Sequence, residues 1–319
     1  MKIDRFVIAI IVSILLAYFF PQLGRSDSPI PLDTVSSVGI SLIFMFYGLK
    51  LSTEELAYGL RNWKFHLLAQ GSTFVLFPLM VLAMHPFVAG EKHETIWLAF
   101  LFLAALPSTV TSSVVMVSLA RGNVPAAIFN ASISGIIGIA ITPLWMAPFL
   151  SEQHTSVDTG EIYLSLLTEI LLPLVIGLSL RRWLGHFARR HSKQFSIFDK
   201  SIILLVIYKS FAHSFEEQVF SNIAWSDIVV IMALVLLLFF AVYSLTGLIA
   251  RYLHFDTADR IAVQFCGSKK SLIHGTVFSK ALFQQSSAIG LILLPLMMFH
   301  ALQILIVSII ATELSKRDS

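Results

Sequence analysis

The chain is a succession of apolar stretches, each about twenty residues long, joined by links too short to fold on their own. In hydrocarbon every backbone N–H and C=O must be satisfied within the protein, so such stretches cross as helices. Ten are long enough to cross: 5–20, 32–49, 63–84, 95–119, 124–150, 162–180, 198–219, 225–252, 258–283 and 287–312. Composition agrees, because 56% of the 319 residues are hydrophobic and only 13% are charged. Soluble domains carry about 25% charged residues. The expected class is an all-α, multi-pass membrane protein with no soluble domain. Its single cysteine, Cys266, excludes an internal disulfide and offers no zinc or redox motif. The first stretch ends in Pro21-Gln22-Leu23-Gly24-Arg25 without a small-x-small cleavage pattern, so it reads as a retained helix rather than a signal.

Basic residues set the orientation. With both termini cytoplasmic, sixteen Lys and Arg fall on the inner side, including Lys50, Arg61, Arg121, Arg181, Arg182, Arg189, Arg190 and Lys193. Only Arg25 and Lys92 fall outside, where Glu91, Glu94, Glu152 and Asp158 collect. A missed helix would move every later link to the other side. The net charge of +3 therefore reflects topology and implies no nucleic-acid partner. The expected location is the plasma membrane, which in bacteria is the inner one. The larger links are a short cytoplasmic helix over 52–61 and the basic link 181–193, which sets topology and touches anionic lipid.

Ten spans divide at the polar link 151–160 into two fives, 1–150 and 161–312. An odd number per half forces opposite orientations, the inverted-repeat plan of many secondary transporters. The fourth span of each half is interrupted. In the first half it reads Leu106-PSTVTSSVVM, with Pro107 followed by Ser108, Thr109, Thr111, Ser112 and Ser113. In the second it holds Gly267, Ser268, Lys269, Lys270 and Ser271. A lysine at the centre of a bilayer helix costs about 2.5–3.5 kcal/mol on insertion scales. Irregular backbone at that depth is tolerated where it is enclosed by protein or lines a cavity. Paired interruptions at matching positions are the strongest sequence pointer to a transport site.

Three short motifs, Phe46-YGLKLSTEEL-Ala57, Leu119-ARGN-Val124 and Gln264-FCGSKKS-Leu272, carry a resemblance. In their order and spacing the chain resembles the bile acid:sodium symporter superfamily, and within it the sodium-bile-acid-symporter-like branch. The resemblance implies a panel of spans 1, 2, 6 and 7 and a core of spans 3–5 and 8–10, with helices 4 and 9 broken and crossing at mid-membrane. It also implies two sodium sites built from a glutamate, a glutamine, hydroxyls and an asparagine. This chain departs from that pattern: the glutamate position is Phe265, the glutamine position Lys269, the asparagine position Val114. Helix-5 hydroxyl positions fall on Ala127 and Ala131, and a helix-3 glutamine position on Thr73. Ser113 alone keeps its type. An ammonium beside a phenylalanine disfavours a second cation.

Two roles are open for Lys269 and Lys270. They attract a carboxylate, sulfate or phosphate together with half-helix N-termini, or they replace sodium as a fixed counter-charge to half-helix C-terminal carbonyls. Proton exchange during transport is a third. Candidate ligands of a substrate or ion are Ser108, Thr109, Ser112, Ser113, Asn130, Gln264, Ser268, Lys269, Lys270, Ser271 and His274, with Gln70, Thr73, Ser132 and Ser134 as cavity liners. Glu169 and Lys209 share a depth on adjacent helices and are expected to form a buried ion pair. The spacing of Gly135 and Gly138 suits close helix packing. No nucleophile–base pair or metal-ligand spacing points to an enzyme, and no cofactor is expected. The expected function is sodium-independent secondary transport of a small organic anion by alternating access. The alternatives are a membrane regulator of the same fold with little flux, for instance of calcium entry, and a sodium-coupled organic anion symporter. Relatives by resemblance that restrain calcium uptake suggest the regulator.

Overall fold

The computed structural model describes residues 5–24, 31–50, 62–88, 90–109, 111–150, 164, 167–283 and 286–316. Among these, all regular structure is helical. The helices are α1 (Arg5–Phe19), α2 (Leu32–Lys50), α3 (Trp63–Leu82), α4 (Glu91–Ala105), α5 (Thr111–Leu119) and α6 (Val124–Leu150). After a wide turn over Leu167–Leu171 come α7 (Leu172–Arg190), α8 (Ser192–Glu216), α9 (Trp225–Tyr252), α10 (Thr257–Gly267), α11 (Leu272–Leu282) and α12 (Ile289–Ser315). By length and composition α2, α3, α6, α9 and α12 are each able to cross a membrane, and this is an integral membrane protein. The expected helix over 52–61 and the link 151–160 lie outside the described residues.

The basic segment 181–193 is not a link. α7 continues to Arg190, and α8 starts at Ser192 after the single residue His191. The reason is packing. Gly185 and Ala188 are buried, Gly185 lying against the Leu49 carbonyl, while Arg182, Arg189 and Arg190 are exposed. Arginine is a good helix former, and the close packing at Gly185 offsets that glycine's poor helix propensity.

The helices group into two compact units, and each unit draws on both halves of the sequence. The first comprises 1–51, 150–223 and 275–293. Its tightest seam joins α2 to α7. A Cβ at Gly48 would run into the backbone of Leu174, and one at Gly177 into the carbonyl of Met45. Where two helix backbones come this close, only glycine fits. At the Lys50 end of α2, Phe46 stacks on Phe195 with centroids 4.2 Å apart, and Lys50 lies 3.8 Å from Asp199.

The second unit comprises 52–149, 224–274 and 294–319. Within α3 one turn widens to π geometry over Ser72–Leu76, with the Phe77 N–H donating to the carbonyl of Ser72. Beside it Thr246 of α9 donates its hydroxyl to Ser72 Oγ (2.9 Å), and a Cβ on Gly267 would meet the Ser72 side chain. Gly138 of α6 lies under the ring of Pro107, so the expected packing role of this glycine has a specific partner. At one end of the unit Asp259 of α10 accepts from Asn62 (2.9 Å) and Asn123 (2.6 Å), tying the starts of α3, α6 and α10 together.

Candidate functional site

Both lysine neighbours of the second break are fully buried within the second unit. α4 stops at Ala105 because Pro107 has no N–H for the ladder and pushes Leu106 into an extended conformation, with ψ at 151°. α10 stops at Gly267, and Ser268 to Ser271 form the second gap before α11. The two gaps are bonded directly to each other. The Ser271 N–H donates to the Pro107 carbonyl (2.9 Å), and Ser108 Oγ donates to the Cys266 carbonyl (2.6 Å). The Ser108 N–H in turn donates to Ser134 Oγ on α6 (3.0 Å). Each break thus supplies partners that the other's open backbone needs, which is how non-helical chain survives in a bilayer protein.

Lys270 completes this joint. Its ammonium donates to the carbonyls of Thr73 (2.7 Å), Ala104 (2.6 Å) and Leu106 (2.8 Å), and lies 4.2 Å from the centroid of the Phe77 ring. Ala104 and Leu106 are at the C-terminal end of α4, where carbonyls lack helical partners and the helix dipole is negative. Thr73 lies in the widened turn of α3, so the π geometry and the lysine occur at the same point. The backbone of Lys270 is fixed as well: its N–H donates to Gln303 Oε1 and its carbonyl accepts from Gln303 Nε2, both at 2.8 Å.

Lys269 has the opposite environment. Its Nζ is buried without a hydrogen-bond partner, and among the described residues no carboxylate pairs with it. The Cys266 thiol lies within reach of its charge, and Asn130 lies beside that thiol. Asn130 Oδ1 accepts from Gln70 Nε2 (2.9 Å).

The remaining candidate residues are divided among several jobs. Ser271 Oγ contacts His274 Nδ1 (2.9 Å) and accepts from the His274 N–H (3.3 Å), making a cap for α11. Thr109 Oγ1 lies 2.7 Å from Ser112 Oγ and 3.0 Å from Ser113 Oγ, a hydroxyl cluster at the start of α5. Ser268 Oγ donates back to the Gln264 carbonyl (2.7 Å). The Gln264 amide occupies the space over Gly247 and donates to the Tyr243 carbonyl of α9 (3.2 Å). Lys209 belongs to the first unit and pairs with Asp33, while the side chain of Glu169 lies outside the described residues.

The sequence alone did not single out Gln303, Phe77 or Asp259. Gln303 carried a signal, being a polar residue mid-way along an apolar span. The carbonyls of Thr73, Ala104 and Leu106 carry none, because a backbone group has no signature in sequence.

The model of the SBF-like CPA transporter family matches residues 4–316. "Putative symporter YfeH" of Escherichia coli is 33% identical over 99% of this chain and 94% of its own. Sodium/bile acid cotransporter 7 of Danio rerio is 31% identical over 96% of this chain and 92% of its own. A protein of Pseudomonas aeruginosa is 35% identical, covering 98% and 93%. With end-to-end similarity to relatives named as transporters, this chain belongs to the SBF-like CPA transporter family.

Proposed function

We propose that this protein is a secondary carrier for a small organic anion and that it works by alternating access without sodium. One observation carries the reading: the Lys270 ammonium sits on three backbone carbonyls in the protein interior. Carbonyl oxygens turned inward at a helix break are the ligands a sodium ion would need. Here they are taken by a cation that is covalently part of the chain. These residues fit an ammonium and do not fit a sodium ion. Two unit charges about 4 Å apart repel by about 4 kcal/mol at an effective dielectric of 20. The Phe265 side chain, which stands at the carboxylate position of the sodium-binding pattern, is fully buried and has no oxygen to offer.

The ten-span inverted repeat with a panel and a core, cytoplasmic termini and plasma-membrane location belong to the same proposal. The direct bonding of the two interrupted segments and the distribution of basic residues support it. In this reading the substrate binds beside the joined breaks, which open to one side of the membrane and then the other.

The names of the vertebrate relatives favour a second reading, sodium-coupled symport. One assay separates the two. Uptake of radiolabelled organic anions into proteoliposomes should be unchanged when sodium is replaced by potassium. Strict dependence on sodium would refute the proposal.

A further inference from the structure

We infer that Lys269, not Lys270, holds the transported anion, and that the site is built for a single negative charge. This rests on the organic-anion reading above and narrows it. An ammonium group has three N–H donors and no acceptor. All three donors of Lys270 are committed to the carbonyls of Thr73, Ala104 and Leu106, and the Phe77 ring lies against the same nitrogen. Nothing remains on Lys270 to bind a substrate, and its charge is already met by carbonyl dipoles at the end of α4.

Lys269 is one residue away and carries three N–H donors with no acceptor among the described residues, at zero exposure. The cluster around Cys266, whose thiol lies within reach of the Lys269 charge, is donor-rich too. Asn130 Oδ1 accepts from Gln70, its buried Nδ2 has only the Cys266 sulfur beside it, and the unpaired acceptor Gln70 Oε1 is too few for the donors of Asn130 and Lys269 together. Three elements therefore converge on one buried place, α3 through Gln70, α6 through Asn130 and the α10 break through Cys266 and Lys269. A surplus of buried donors calls for a ligand made of acceptors. Water would satisfy N–H groups but would leave the charge unbalanced. An anion does both.

Charge balance then sets the substrate class. One uncompensated ammonium is neutralised by one carboxylate or another monovalent anion. A dicarboxylate would bring a second charge with no partner into a low-dielectric interior, at a cost of several kcal/mol. The chemistry selected is an organic monoanion.

The test uses the full chain reconstituted in lipid, with potassium salts of butyrate, benzoate and succinate at equal ionic strength. Thermal shift gives the apparent Kd, and tracer uptake gives KM. At least one monoanion should raise the Tm by several degrees and be taken up, with succinate about tenfold weaker or silent. Lys269→Met should remove the shift and the uptake. Lys269→Arg, which keeps the charge and donors, should retain part of both. The inference is overturned if succinate binds as well as the monoanions, or if Lys269→Met binds and transports benzoate or butyrate with unchanged constants. That second result leaves the organic-anion reading standing. If the wild type binds and moves none of the three anions, both the inference and the reading beneath it fail.

Discussion

Gln303 and Lys270 hold each other through two hydrogen bonds of 2.8 Å, the amide oxygen of the glutamine on the lysine N–H and the amide nitrogen on the lysine carbonyl. The pairing is that of a strand ladder, made by a side chain on α12 with the open backbone between α10 and α11. It fixes the direction in which the Lys270 side chain leaves the chain. The lysine then reaches three carbonyls on two other helices.

Replacing Gln303 by Leu leaves a buried N–H and a buried C=O of Lys270 without partners. Each unsatisfied group costs about 1–3 kcal/mol. The Gln303→Leu protein should melt clearly below the wild type in detergent, monitored by tryptophan fluorescence. Gln303→Asn, too short by a methylene to reach both groups, should be nearly as unstable. A melting temperature equal to that of the wild type would show that the clamp contributes nothing.

Lys269 and Lys270 should respond in opposite ways to removal of charge. Lys270→Met strands three inward carbonyls, each of which costs about 1–3 kcal/mol when left unsatisfied, and should destabilise by several kcal/mol. Lys269→Met deletes an ammonium that has no protein partner, so in the absence of anion it should be neutral or stabilising. Chemical or thermal unfolding of the two variants side by side checks this, and equal loss in both would contradict the assignment.

Asp259 is the shared acceptor of Asn62 and Asn123, which immediately precede α3 and α6. Hydrogen bonds to a charged acceptor contribute about 1.5–3 kcal/mol each. Asp259→Ala should therefore cost several kcal/mol and loosen this end of the unit, measurable as faster amide exchange near residues 62 and 123. Asp259→Asn keeps one acceptor oxygen and should lie between the two. Unaltered exchange at both positions in the alanine variant would refute the role.

The pair of Lys209 and Asp33 in the first unit should matter far less. Asp33 keeps 57% of its side chain exposed, against 15% for Lys209. Ion pairs with a solvated partner contribute about 0–1 kcal/mol. Asp33→Asn should shift the melting temperature by only a degree or two in detergent. A fall as large as that of Lys270→Met would mean the pair is buried in the membrane-embedded protein.

Much of the backbone plan was readable from residue types. α6 and α9 have the bounds that hydropathy gave, and the gap after Ala105 follows from Pro107. The gap after Gly267 follows from Gly, Ser and Lys in an apolar run. Hydropathy ends the span at 180 and makes 181–193 a basic link, whereas the helix runs on to Arg190. Gly185 and Ala188 give that helix a face narrow enough to bury while Arg182, Arg189 and Arg190 face outward.

Apolar length and the cost of an unpaired peptide group are local properties, so residue types alone specify a helical membrane protein with two interrupted spans and paired lysines in the second. They do not separate the two lysines, which are identical in type, adjacent and equally buried. The fold separates them: the Lys270 donors are met by carbonyls from α3 and from the end of α4, while Lys269 has no hydrogen-bond partner among the described residues. The reason is physical: an ammonium's role depends on which acceptors surround it. Those acceptors are backbone oxygens from residues more than 150 positions away in the chain.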